Sequence, residues 1–335
     1  MKALGEFAIT HQHGRANAAH APAPRKFACA GDSNFTRRGF SGLACSAVMS
    51  ALGGRSFADP LVDPLRVLGV SPDRTFPQFD EAAANVIPEA GFQSRIALKD
   101  SVVRIVRHGV IDRGKFFDLR LRMGPLPPEL NTVLSEVSEL PIKLTRGNAA
   151  DYVNLLWPVG LANHIYSNFQ SPLKGSSLAG FASTGGWTLG KKSEGSTYFN
   201  RYPIVALTPE AEILAVRVAQ STYRPCCGNS TFFQDCNHGS ALFGVLQLGA
   251  SQGLQEQELF QEALAFNSFW FPDYYIKTAL YFSVVRKTQW RDIDARLVMG
   301  QEFSALGPWQ ENVNAKLAAI PDLIPAPLGG AVCGA

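Results

Sequence analysis

Reactive side chains are scarce in this sequence. Among 335 residues there are six cysteines and six histidines, and only 18% of the chain is charged. No Cys-x-x-Cys pair occurs, which excludes the thioredoxin-type redox motif, and no Cys-x-x-Cys-His occurs, which excludes c-type haem attachment. The glycine-rich run Ser183-Thr184-Gly185-Gly186-Trp187 lacks the Lys-Ser/Thr pair of a nucleotide-binding phosphate loop and reads as a turn. No repeat of fixed period recurs along the chain, so a solenoid or propeller is not expected. Long apolar runs are missing as well. The stretch from Gly39 to Gly54 is diluted by Gly, Ser and Ala and is too short to cross ~30 Å of hydrocarbon.

That weak apolar stretch has informative neighbours. Thr36-Arg37-Arg38-Gly39-Phe40 precedes it, and Ser56-Phe57-Ala58 follows it with small residues at the two positions a signal peptidase reads. The segment 36–58 resembles a twin-arginine translocation signal. A lipoprotein reading of Leu43-Ala44-Cys45 fails, because almost no apolar residues separate the arginines from the cysteine. The resemblance implies a signal peptide over 1–58, the twin-arginine translocation machinery as a partner, and an exported product, periplasmic or extracellular, in a bacterium. That route carries folded proteins, often with a cofactor taken up beforehand.

The leader carries seven of the 31 Lys and Arg and two of the 28 Asp and Glu, which leaves 24 basic against 26 acidic residues in the 277 that follow. The whole-chain charge of +3 therefore belongs to the leader, and the remainder carries −2. No basic patch remains to recruit nucleic acid, and no second apolar run offers a stable membrane span. A globular protein with a sizeable core is expected.

Its elements read as mainly α: a multi-helix globular domain with a small β/loop-rich insertion in the middle. Residues 59–78 form an extended, Pro- and Asp-rich arm. The helical domain covers 79–319, with the Gly/Ser-rich insertion at about 167–202, and 320–335 is a Pro/Gly-rich tail. Short helices with polar breaks are predicted from Phe79 to Ser138, one of them capped by Asp112 and closed by Gly124-Pro125, and another opened by Pro127-Pro128-Glu129. A strand is predicted over Leu140–Thr145. An apolar helix is predicted over Asn148–Asn163, interrupted at Pro158. Further helices are predicted from Thr208, where Thr caps and Pro209 takes the first turn, from about Ser230 to Ser251, from Gln255 to Phe271 and from Tyr274 to Lys287.

Chemistry concentrates in one place. The run from Tyr223 to Gly239 contains Cys226, Cys227, Asp235, Cys236 and His238, which are three of the four cysteines and one of the three histidines beyond the leader. With Ser230 onward helical, Asp235 and His238 share a face, Cys236 and His238 do not, and Cys226 and Cys227 precede the positive end of the helix. Three chemistries fit. Disulfides are permitted in an oxidising compartment, pairing Cys226 or Cys227 with Cys236 and the other with Cys333. A metal site of Cys226, Cys227, Cys236 and His238, with Cys333 or Asp235 as further candidates, suits zinc, copper or iron, although Cys-Cys-x8-Cys-x-His matches no common zinc-finger spacing. A reactive thiol, Cys226 or Cys227 activated by His238 and oriented through Asp235, is the catalytic alternative.

The other candidates have plainer readings. His164 sits at a helix end, and His108 lies in an alternating basic and apolar stretch on a solvated or salt-bridged face. Asp292 and Asp294 are spaced poorly for an acid/base pair. Phe266, Phe269, Trp270, Phe271, Tyr274, Tyr275, Tyr281 and Phe282 form an aromatic block, core by default or the wall of a small-molecule pocket. The expectation is an exported protein whose Cys226–His238 segment binds a metal or carries thiol redox chemistry. The alternative is a disulfide-stapled, non-enzymatic binding or interaction domain. Whether the chain is an enzyme stays open.

Overall fold

A computed structural model describes residues 75–325 except Lys174, Gly186 and Trp187. The signal segment, most of the extended arm, the tail from residue 326 with Cys333, and part of the 183–187 turn lie outside the described residues. No helix among the described residues is long and apolar enough to cross a membrane.

The fold is mainly α with one small sheet. Helix α1 (Pro77–Val86) leads into β1 (Phe92–Lys99), α2 (Ser101–Arg107) and α3 (Arg113–Met123). Asp112 caps α3 by accepting from the Lys115 amide at 3.1 Å, and Gly124 ends it at φ 110°, a conformation only glycine adopts cheaply. Strand β2 (Ser138–Leu144) pairs antiparallel with β1, from Phe92↔Leu144 to Lys99↔Ser138. The sheet thus lies upstream of the Gly/Ser-rich stretch, which carries short turns of 3-10 helix such as Tyr166–Gln170 and Gly175–Gly180. The segment of β1 was expected to be helical. Its buried face, Ser94 with Ile96 to Leu98, shows no clean alternation from which a strand could be read. Pro127-Pro128-Glu129 opens only a single 3-10 turn, Pro128–Leu130.

The core is a helix pair. Helix α4 (Ala149–Ala162) is buried on nearly every face, as expected for a helix apolar all round, and it runs continuously through Pro158 rather than breaking there. It packs along α6 (Asn237–Ser251), and α5 (Pro209–Ser221) and α7 (Glu256–Trp270) also pack on α6. Thr208 caps α5 through the Ala211 amide at 3.2 Å. The two core helices touch through glycine: a Cβ on Gly160 would lie 2.0 Å from the Ser240 carbonyl oxygen, and one on Gly244 would lie 2.6 Å from that of Leu156. The buried carboxylate of Glu262 on α7 accepts from Ser94 Oγ at 2.6 Å and the Arg95 amide at 2.9 Å, which pins the sheet to the bundle. Helix α8 (Pro272–Tyr281) packs on α1, and short turns from Ala295 to Ala318 close the end of the bundle.

Candidate metal and thiol centre

The site is a loop wound around one arginine. Thr222 and Thr231 close its neck: the Thr231 amide donates to the Thr222 carbonyl at 2.8 Å, and their hydroxyls meet at 2.9 Å. Arg224 then turns its guanidinium into the protein, where it is fully buried. Its donors reach the carbonyls of Asn229 (3.2 Å), Ser230 (2.9 Å) and Phe233 (2.9 Å), the Asp235 carboxylate, and Cys236 Sγ (3.2 Å). A buried cation is tolerated only when paired and hydrogen-bonded, and here every acceptor comes from residues 229–236.

This arrangement corrects the expected start of the helix. Residues 230–236 are a bridge to Tyr223 followed by turns rather than a helix: the carbonyls of Ser230 and Phe233 serve the guanidinium, and those of Gln234 and Asp235 serve Ser183 and Ala182, instead of a helical ladder. Helix α6 begins at Asn237, with Cys236 as its N-cap, its sulfur accepting from the Gly239 amide at 3.3 Å. The residue at the positive helix end is therefore Cys236, not Cys226 or Cys227. Asp235 lies outside the helix, so the shared helical face expected for Asp235 and His238 does not exist.

The remaining side chains converge on that cap. Cys226 Sγ is 3.5 Å from Cys236 Sγ, and Cys227 Sγ is 3.8 Å from Asp235 Oδ1. The second carboxylate oxygen of Asp235 accepts from Asn229 Nδ2 at 2.6 Å. All three cysteines are free thiols, so the Cys226–Cys236 pairing weighed for a disulfide brings its sulfurs into contact without bonding them; a disulfide needs about 2.05 Å. Donor atoms of Cys226, Cys236 and His238 lie within 4.8 Å of one another, and so do those of Cys227, Asp235 and Cys236. The described sequence-predicted ligands, Cys226, Cys227, Cys236 and His238 with Asp235, are thus brought together, and Cys333 lies outside the described residues.

The electrostatics single out Cys236. Hydrogen bonds from Cys226 and Cys227 hold its thiol well below the ordinary cysteine range, against the cost of burial and with help from Arg224 and His238. Cys226 is pushed well up by its contacts with Cys227 and Cys236 and by desolvation. For Cys227 the bond from Cys226 pulls downward, but the bond to Cys236 and burial prevail and push it up to about 12. Burial also raises Asp235, outweighing Arg224, and lowers His238, which keeps the imidazole neutral and able to ligate. Burial works against the charge on Arg224, yet Cys236, Cys227, Cys226 and Asp235 together raise it above the ordinary arginine value.

The surroundings come from several elements. The His238 ring lies 4.6 Å from that of Phe271 and 6.0 Å from that of Trp270, so part of the aromatic block walls the site. Most of that block is core: Phe266, Tyr275 and Tyr281 are buried. Asn267 Nδ2 donates to the Tyr223 carbonyl at 3.1 Å and to the Tyr275 hydroxyl at 3.0 Å, and the Leu306 amide holds the Cys227 carbonyl at 3.3 Å. From the Gly/Ser-rich segment, the Ala182 amide donates to the Asp235 carbonyl at 3.0 Å and Ser183 donates to that of Gln234. The outlying candidates stay apart. His108 stacks on Tyr202 at 4.3 Å, His164 Nδ1 meets the Asn200 carbonyl at 3.1 Å, and Asp294 caps a helical turn through the Arg296 amide at 2.9 Å.

Arg224 and Asn229 are residues of the candidate site to which the sequence reading gave no part in its chemistry. The only signal was position: an arginine two residues before a Cys-Cys pair, inside the densest cluster of thiols. No protein-family model, curated protein or solved structure matches the chain.

Proposed function

We propose that the Tyr223–Gly239 loop is a metal-binding centre of an exported protein, in which Cys226, Cys236 and His238 hold one thiophilic ion. The observation that carries this reading is the convergence of two sulfurs and an imidazole nitrogen within 4.8 Å. Two cysteines and one histidine form a set that binds zinc with its fourth position open, and the same soft donors suit copper or iron. Arg224 and the Gly239 amide would serve as outer partners that orient Cys236 and temper its charge. Export rests on the resemblance of residues 36–58 to a twin-arginine signal, a route that suits a protein loaded with metal while folded.

Intact mass tests this directly. The full chain, recorded under native and then denaturing conditions, is expected to lose the mass of a metal ion on denaturation, with its cysteines reduced. Equal masses in both states, after zinc and copper have been supplied, would sink the reading. His238→Ala is expected to abolish the adduct while leaving the far-ultraviolet spectrum of the fold intact.

The contact between Cys226 and Cys236 supports a second reading, thiol redox chemistry. With hydrogen peroxide as oxidant, the Cys236 thiolate and the Cys226 thiol form one S–S bond, and peroxide is reduced to water and hydroxide. This reading predicts a peroxide-dependent loss of two hydrogens that Cys226→Ser prevents. If peroxide instead leaves three free thiols or over-oxidises Cys236, the reading fails.

A further inference from the structure

The donors around Cys236 outnumber the needs of one ion. Three sulfurs, one imidazole and one carboxylate are present, whereas zinc in protein sites takes four ligands. They fall into two overlapping sets of three: Cys226, Cys236 and His238, and Cys227, Asp235 and Cys236. Adjacent residues send their thiols into different sets, Cys226 to 3.5 Å from Cys236 and Cys227 to 3.8 Å from Asp235. Only the sulfur of Cys236 belongs to both.

From this overlap we infer that the loop holds two metal ions bridged by the Cys236 thiolate, an inference that rests on the metal reading above. A thiolate sulfur has lone pairs enough to bind two ions. The carboxylate of Asp235 also has capacity to spare: Oδ1 accepts from Arg224 and from the Cys227 thiol, whose proton a metal would displace, and Oδ2 accepts from Asn229 and retains a further lone pair. Two ions sharing a donor sit close together, about 3.5–4 Å apart in two-metal sites. The ligands the pair would take are small anions or neutral groups able to reach both metals, such as hydroxide or a carboxylate.

Stoichiometry decides the matter. The full chain is titrated with zinc and, separately, with cobalt, and bound metal is counted by native mass spectrometry. The expected result is two ions per chain in the wild type and one in Cys227→Ser, with circular dichroism showing that the variant is folded. X-ray absorption of the zinc-loaded wild type should then show a metal neighbour at about 3.5–4 Å. One ion in the wild type, or two in Cys227→Ser as well, would overturn the bridged pair and leave the single-ion centre standing. No ion in the wild type would remove both.

Discussion

Arg224 Nε donates to the sulfur of Cys236 at 3.2 Å from a guanidinium with no exposed surface. The pair joins the folding of the loop to its chemistry. The cation that gathers the carbonyls of Asn229, Ser230 and Phe233 is the one that faces the thiolate at the helix cap. A loop that failed to close around Arg224 would also fail to position Cys236.

Replacing Arg224 should therefore cost both stability and reactivity. Arg224→Lys keeps the charge but loses the planar fork, and a single ammonium cannot serve the three carbonyls, the Asp235 carboxylate and the Cys236 sulfur together. We expect a loss of about 3–5 kcal/mol in urea unfolding, the scale of breaking a buried pair. A variant within about 0.5 kcal/mol of wild type would mean that the guanidinium is not the organiser of the loop.

Cys236 should remain nucleophilic at acidity where ordinary thiols are silent. Its folded pKa is depressed, while Cys226 and Cys227 are raised. Iodoacetamide at pH 6, followed by peptide mapping, should label Cys236 first and Cys226 and Cys227 hardly at all. The linkage has a definite sign. The contribution of Cys236 to stability is complete above the unfolded thiol value of about 8.5 and is lost as pH falls through its folded pKa. Equal labelling of all three cysteines at pH 6 would contradict the assignment.

Metal uptake should release few protons. The thiol of Cys236 is held well below the ordinary cysteine range and burial lowers His238, so the first zinc ion at pH 7 is expected to displace about one proton, that of Cys226. Cys227, raised to about 12, adds another only if a second ion binds. Affinity for the first ion should thus rise about tenfold per pH unit near neutrality. Calorimetry in buffers of different ionisation enthalpy counts the protons; two or more for the first ion would mean that Cys236 is protonated in the free protein.

The residues of this centre were legible in the sequence, while its geometry was not. Crowding of Cys226, Cys227, Asp235, Cys236 and His238 in one short run was enough to locate it, because local composition survives folding. Local rules also placed the caps at Asp112 and Thr208, where the side chain and the amide it caps are three residues apart. They failed where tertiary contacts override propensity. Ser230 to Cys236 reads as the first turns of a helix only while its carbonyls are free, and a buried arginine from earlier in the chain takes those of Ser230 and Phe233. Strand β1 was missed for a similar reason: its buried Ser94 answers to Glu262, 168 residues away.

The crossing of the core helices offers the sharpest test of the fold beneath the site. Gly160 on α4 faces the backbone of α6, where an added Cβ would lie 2.0 Å from the Ser240 oxygen and 2.8 Å from the Gly244 nitrogen. Both obstacles are backbone, so no side chain can swing aside, and the helices must separate. Ser240 is four residues from Cys236, so separation there also displaces the cap that holds the thiolate. In an exposed helix Gly→Ala stabilises by about 1 kcal/mol. Here Gly160→Ala is expected to cost about 3 kcal/mol or more, the upper range for overpacking. Thermal unfolding would show this as a large drop in Tm, and thiol labelling of whatever still folds should lose its preference for Cys236. A Gly160→Ala protein as stable as wild type would mean that α4 and α6 do not meet at this residue.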